Sequence, residues 1–198
     1  MEPHLLSLIG FAVAMYITPG PNNIMLASAA ANHGVRATVP HMLGIAFGFG
    51  AMLQIVFAGL GSVLLAVPAL LSAMRWIGAA WLTWLAWQIA SAPPPQAGEH
   101  RPILGFWGAA AFQWINPKAW LIGLGAASEF TRPDVPLSTQ LLWLGIVFFG
   151  VAIPCMLPWL ALGKGAALLL RSPFRLRVFN VAMGLLLIAS LVPLLVGI

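Results

Sequence analysis

The sequence predicts an all-α membrane protein with six transmembrane helices, arranged as two inverted three-helix repeats whose helices 1 and 4 are broken near the midplane. Three observations carry this. Of 198 residues, 61% are hydrophobic and 7% charged, against about 25% charged in a soluble domain. The apolar runs divide into six segments of spanning length with short connections. Finally, the first and fourth segments are each interrupted by proline next to polar side chains.

So few charges cannot cover a globule in water without leaving large apolar patches, which excludes a soluble enzyme. The hydrophobic content equally excludes a disordered chain. The net charge of +5 comes from basic residues spread thinly between apolar runs, a pattern of membrane loops rather than of nucleic-acid binding. A single cysteine, Cys155, leaves no intrachain disulfide, CxxC pair or multi-thiolate metal site.

A helix needs about 20 apolar residues to cross the hydrocarbon core. The segments run near 5–30, 41–66, 69–91, 104–127, 138–162 and 176–197. They are linked by 31–40, a short step at Val67 and Pro68, 93–102, 128–137 and 163–175. No link is long enough for a soluble domain, so the chain reads as one transporter domain with halves of about 1–92 and 103–198. The start, Met1-Glu2-Pro3-His4, lacks the basic region of a secretory signal and reads as the lead of a retained span. Tryptophans such as Trp76, Trp87 and Trp107 near segment ends fit interfacial belts. Gly44 and Gly48 form a GxxxG pair, first a packing face within the monomer and second a homodimer face.

Loop cations set the expected orientation. Arg36, Arg101, Lys164, Arg171, Arg175 and Arg177 fall on one side and Arg75 and Arg132 on the other. With six spans this places both termini opposite the cytoplasm, in a multi-pass inner-membrane protein.

The interruptions carry the chemistry. Segment one contains Thr18-Pro19-Gly20-Pro21-Asn22-Asn23 and segment four contains Gln113-Trp114-Ile115-Asn116-Pro117-Lys118. Three crossings turn the second half over, so two interrupted first helices meet at the midplane, where inverted-repeat transporters hold substrate. Pro21 and the Asn116-Pro117 step suit helix starts. Two half-helix N-termini then offer N–H groups and positive dipole ends to an anion such as a carboxylate. Lys118 lies only ~4 Å along the axis from the middle of its segment at ~1.5 Å per residue. A lysine there costs on the order of 2.5–3.5 kcal/mol on insertion scales, and a helix N-terminus beside it is electrostatically unfavourable. Such a residue reads as functional, or else as a lysine satisfied by carbonyls of a kinked neighbour.

The four acids, Glu2, Glu99, Glu129 and Asp134, all lie in loops or at segment ends. A cationic substrate would be stranded in hydrocarbon without a counter-charge, whereas a zwitterion is neutral overall. Its carboxylate would meet the half-helix N-termini and Lys118. Its ammonium would meet unwound carbonyls near Thr18 and Ile115 and the amide oxygens of Asn22, Asn23 or Gln113. His41, which follows Pro40 at the mouth of segment two, reads as structural or as a gate or proton carrier, and Gln54 as packing or pathway lining. His33 and His41 without clustered acids or thiols make a poor metal site, so no metal and no cofactor is expected.

The chain resembles the LysE/RhtB family of bacterial amino-acid exporters over essentially its whole length. The resemblance rests on Thr18-Pro19-Gly20-Pro21-Asn22-Asn23, His33-Gly34-Val35-Arg36, Gly78-Ala79-Ala80-Trp81 through Trp84-Leu85-Ala86-Trp87, and Asn116-Pro117-Lys118. The TPGPNN form with the W-L-A-W run looks most like the cysteine/O-acetylserine exporter branch. The resemblance implies six helices, an inner-membrane location and export of amino acids or their derivatives. Some members carry Asp after the PGP element where this chain has Asn22, which removes a cation or proton partner. The expectation is a secondary exporter of small neutral amino acids or derivatives, of cysteine, O-acetylserine, homoserine or threonine type. Its partners are the amino acid and the lipid bilayer, with no nucleic acid. The substrate-binding residues are Thr18, Pro19, Gly20, Pro21, Asn22, Asn23, Gln113, Asn116, Pro117 and Lys118. The alternatives are a metal-ion exporter of similar repeat architecture and a non-transporting membrane subunit.

Overall fold

The computed structural model describes residues 2–92, 104–169 and 172–192. The expected link at 93–102, Arg171 and the end of segment six therefore lie largely or wholly outside the described residues. Every regular element among the described residues is helical: α1 (Glu2–Ile17), α2 (Pro21–His33), α3 (Val35–Ile55), α4 (Gly61–Ala66), α5 (Pro68–Ser91), α6 (Phe106–Phe112), α7 (Pro117–Phe130), α8 (Leu137–Leu169) and α9 (Pro173–Ala189). A π-helical turn, Val56–Leu60, joins α3 to α4, and its kink is taken up at Gly59 with φ 129°, a conformation that a side chain resists.

Among the described residues two stretches, Val35–Ala66 and Leu137–Leu169, are long and apolar enough to cross a membrane, and the bent pair α1–α2 makes a third if taken as one span. Prolines set many of the helix starts. Pro21, Pro68, Pro117 and Pro173 each stand at the first turn of a helix, where the missing N–H costs nothing. The stop of α2 is Gly34, at φ 83°, whose N–H caps Ala30 O at 3.0 Å. The expected link at 31–40 is corrected here: only Gly34 breaks it. Pro40 lies inside α3, where its ring removes a single ladder bond that a helix in lipid tolerates.

Small residues let the helices approach closely. A β-carbon on Gly44 would strike Phe106 O and Ala109, and one on Gly48 would strike Ala110, so the GxxxG face is used against α6 within the chain. Gly163 in α8 lies on Ala27 and Ala30 of α2, and Gly184 in α9 on Ala86 and Ala90 of α5. One apolar cluster draws on α1, α3, α7 and α8, with Phe148, Ile45, Met52 and Leu53 fully buried. A second joins α2, α5, α6 and α9 through Ile24, Leu82, Phe112 and Leu187. The outer faces carry exposed Trp76, Trp87 and Trp107. The two interruptions lie between these clusters.

Candidate functional site

The first interruption is the non-helical step Thr18-Pro19-Gly20, across which α1 and α2 bend by 51°. A broken helix leaves carbonyls without ladder partners, and in an apolar setting each needs a donor. Four consecutive carbonyls find side chains. Asn23 Nδ2 donates to Tyr16 O at 2.6 Å and to Thr18 O at 2.9 Å. Trp159 Nε1 donates to Ile17 O at 3.3 Å. Lys118 Nζ donates to Thr18 O and Pro19 O, both at 3.2 Å, and to Thr18 Oγ1 at 2.7 Å.

Lys118 thus meets the carbonyls of a kinked neighbour, one of the two readings that its depth allowed. Its ammonium lies at the carbonyl end of α1, the negative end of a helix dipole, where a cation is stabilised. All three of its protons are committed to acceptors of the first interruption. The side chain reaches there by lying over Gly20: a β-carbon built on Gly20 would come 2.9 Å from Lys118 Cδ and 3.0 Å from Nζ. The Thr18 carbonyl, expected to receive a substrate ammonium, already accepts from Lys118 and Asn23. The Ile115 carbonyl is closed off by Gly78, on which a β-carbon would collide with it and with Pro117.

The second interruption, Gln113–Asn116, is a tight turn held by i→i−3 bonds, from Gln113 N to Ala110 O at 3.3 Å through Asn116 N to Gln113 O at 3.3 Å. Asn116 caps α7, its Oδ1 accepting from Lys118 N at 3.2 Å, as Asn at this position should. Gln113 is fully buried and exchanges two bonds with Asn22: Asn22 Nδ2 to Gln113 Oε1 at 2.9 Å and Gln113 Nε2 to Asn22 Oδ1 at 3.1 Å. The two interruptions, about ninety residues apart in the chain, are therefore tied by this amide pair and by Lys118.

One asymmetry decides the chemistry. The N-terminus of α7 is capped by a side chain, whereas that of α2 has no side-chain cap. The first-turn N–H groups of Asn22 and Asn23 carry the positive end of the α2 dipole without a side-chain acceptor.

Beside them lies a small, partly open cavity. Its polar side consists of Gly20, Pro21, Asn22, Asn23, Asn116 and Lys118, and its apolar side of Met15, Tyr16, Ile45, Phe49, Ala119, Ile122 and Met156. Thr18, Pro19, Gln113 and Pro117 support this wall without lining it. His41 is buried away from the cavity lining, both ring nitrogens lacking a partner. Gln54 ties α3 to α8 by donating to Leu141 O at 2.8 Å. Among the described residues no three His, Cys, Asp or Glu side chains are grouped to hold a metal.

The sequence reading missed the apolar side. Tyr16 is the one tyrosine of the chain and precedes Thr18 by two residues, which is the signal that could have found it. Phe49, Ile122 and Met156 reach the cavity only through helix packing and carry no local signal.

A strongly apolar helical chain with two interrupted helices joined around a small cavity has the architecture of a membrane transporter. The chain belongs to the LysE type translocator family, whose model matches residues 13–196. It is 36% identical over 136 residues to the cysteine/O-acetylserine efflux proteins of Salmonella choleraesuis (strain SC-B67) and Escherichia coli (strain K12), covering 68% of this chain and 69% of each relative. No solved structure matches it.

Proposed function

We propose that the protein exports small neutral amino acids or their derivatives, of cysteine, O-acetylserine, homoserine or threonine type, across the bacterial inner membrane by alternating access. The observation that carries this reading is the cavity between the interruptions, with an uncapped helix start, one lysine and no acid on its walls. The substrate carboxylate docks on the Asn22 and Asn23 N–H groups under the field of Lys118. The ammonium takes Asn23 Oδ1, with Asn116 Oδ1, which also caps α7, beside it. Asn23 has both amide protons committed to carbonyls, so its oxygen is the group left for a ligand. A second positive charge about 5 Å from Lys118 costs ~3 kcal/mol at an effective dielectric of about 20, or roughly 200-fold against a cationic amino acid. The relatives, named for efflux of cysteine and O-acetylserine, fit a neutral substrate.

The finer architecture belongs to the same reading: six spans in two inverted halves of about 1–92 and 103–198, rocking around the shared site. Three pairings support it. First, α1 packs on α8 as α6 packs on α3, and α3–α8 and α5–α9 pair across the halves. Second, Asn32 in α2 exchanges amide bonds with Asn180 in α9, and Gly163 lies on Ala27, which gathers Arg36, Lys164, Arg175 and Arg177 toward one end. Third, Phe11 of α1 meets Phe130 at the end of α7 edge-on, ring centroids 5.5 Å apart, which sets the first half of α1 beside the α7–α8 loop at the other end. The positive-inside rule then puts the first end in the cytoplasm and both termini in the periplasm.

The test is efflux from cells expressing the protein and preloaded with a panel of amino acids, with and without a protonophore. Selective loss of neutral amino acids supports the reading, and preferential loss of lysine and arginine overturns it.

A further inference from the structure

We propose that the Asn32–Asn180 amide pair and the Gln54–Leu141 bond are alternating latches that hold shut the two ends of the transport pathway. Each parts when the pathway opens at its own end, while the other stays made. This rests on the export reading above and adds which bonds close each end.

Polar bonds cross between the two halves of the chain at three levels. At the interruptions, Asn22 pairs with Gln113 and Lys118 with Thr18. Asn32 lies ~15 Å further along α2 at ~1.5 Å per residue. There it pairs reciprocally with Asn180 of α9: Asn32 Nδ2 donates to Asn180 Oδ1 at 2.9 Å and Asn180 Nδ2 to Asn32 Oδ1 at 3.2 Å. This end of α2 lies, through Ala27 and Ala30, on Gly163 late in α8. Gln54 of α3 instead reaches Leu141, near the start of α8, at 2.8 Å. Leu141 and Gly163 stand ~33 Å apart along α8 at the same rise. The two bonds therefore lie at opposite ends of that helix, with Met156, which lines the cavity, between them.

The bonds at the interruption and those at the ends satisfy different groups. Asn23 and Lys118 serve Tyr16 O, Thr18 O and Pro19 O, carbonyls of a broken helix, so parting them strands the backbone. The end bonds are surplus to the backbone. Asn32 and Asn180 join side chain to side chain. Leu141 lies inside α8, so its carbonyl serves the helix ladder and Gln54 takes the second lone pair. Either bond parts without loosening a helix, and its amide takes water as that end opens. Asn180 is fully buried, so while its end is closed and dry the amide requires its partner. An apolar pair at the same place would expose hydrocarbon on opening. Amide bonds between helices in a membrane are weak, each shifting an equilibrium by about threefold, which suits a contact that is made and broken in every cycle.

The experiment uses the full chain in opened membrane fragments, where an impermeant maleimide reaches both faces, with Cys155→Ser removing the native thiol. One reporter is Ser28→Cys, buried one turn before Asn32 on the same face of α2. The other is Leu144→Cys, buried one turn after Leu141 in α8. Asn180→Ala should speed labelling of the Ser28 reporter about threefold or more without speeding that of the Leu144 reporter, and Gln54→Ala should do the reverse. Asn32→Ala removes the same amide pair from its half-buried side and should act as Asn180→Ala does, which keeps the test decisive if the buried alanine fails to assemble. Unchanged labelling at both reporters overturns the proposal, and so does a rise at both together, which is general loosening. Threonine counterflow by the unmodified protein tests the export reading separately. Where it is present, the labelling outcome bears on the latches alone; absence of counterflow with any amino acid overturns the export reading and this proposal with it.

Discussion

Replacing Gly20 by alanine perturbs the centre of the site with one methyl group. Gly20 has φ 177°, extended backbone that any residue adopts, so alanine introduces no backbone strain. The conflict is with Lys118, whose Cδ and Nζ would lie 2.9 and 3.0 Å from the new methyl. Ordinary carbon contacts are about 3.5–4.0 Å, so the lysine stem must withdraw by roughly 0.5–1 Å. Such a retreat takes the bonds from Nζ to Thr18 O and Pro19 O, both 3.2 Å long, past the useful limit of about 3.5 Å. Each bond from a charged donor contributes on the order of 1.5–3 kcal/mol. Because the lysine is half-buried and its end is flexible, water recovers part of that, and the net loss of stability is about 1 kcal/mol. The site loses more, since the ammonium no longer sits over the start of α2. Counterflow of threonine or cysteine by purified Gly20→Ala should fall about tenfold or more at nearly unchanged thermal stability, whereas Gly10→Ala, with nothing within 4 Å of its new methyl, should match the unmodified protein. Full transport by Gly20→Ala would refute the coupling between Lys118 and the interruption.

Two further outcomes follow from the same contacts. Gly78→Ala drives a methyl into Ile115 O and Pro117; overpacking of this kind costs about 1–3 kcal/mol, so the thermal midpoint of the purified protein should drop by several degrees and transport with it. Asn22→Ala strands the fully buried Gln113 amide and Gln113→Ala the half-buried Asn22 amide, so a double-mutant cycle on stability should show coupling of about 1 kcal/mol or more, and strict additivity would show the pair to be idle.

The helices and their interruptions were legible because proline and glycine act locally. Pro19, Gly20 and Pro21 in succession disfavour a continuous helix, and the Asn116-Pro117 step announces a cap. The same local logic failed at 31–40, where Pro40 and His33-Gly34 suggested a link but only Gly34 breaks the helix. Lys118 was recognisable as an anomaly from depth alone. Its partners were not, because Thr18 and Pro19 lie a hundred residues away and only the fold turns the lysine toward the carbonyl end of α1. The same holds for the uncapped start of α2. Asn22 and Asn23 look like capping residues in sequence, yet their side chains go to Gln113 and to the Tyr16 and Thr18 carbonyls. The apolar wall was invisible because nothing near Ile122 or Met156 distinguishes them from other packing residues.

The proposed export requires the cavity between the two interruptions to bind a neutral zwitterion through the open start of α2 beside Lys118. The most direct measurement is counterflow in proteoliposomes containing the purified protein, with labelled neutral amino acid outside and excess unlabelled cysteine, threonine, O-acetylserine, lysine or arginine inside. The account predicts exchange driven by the neutral compounds, at least about 100-fold better than by lysine or arginine. Exchange driven equally well by lysine, or no exchange with any amino acid, would contradict it.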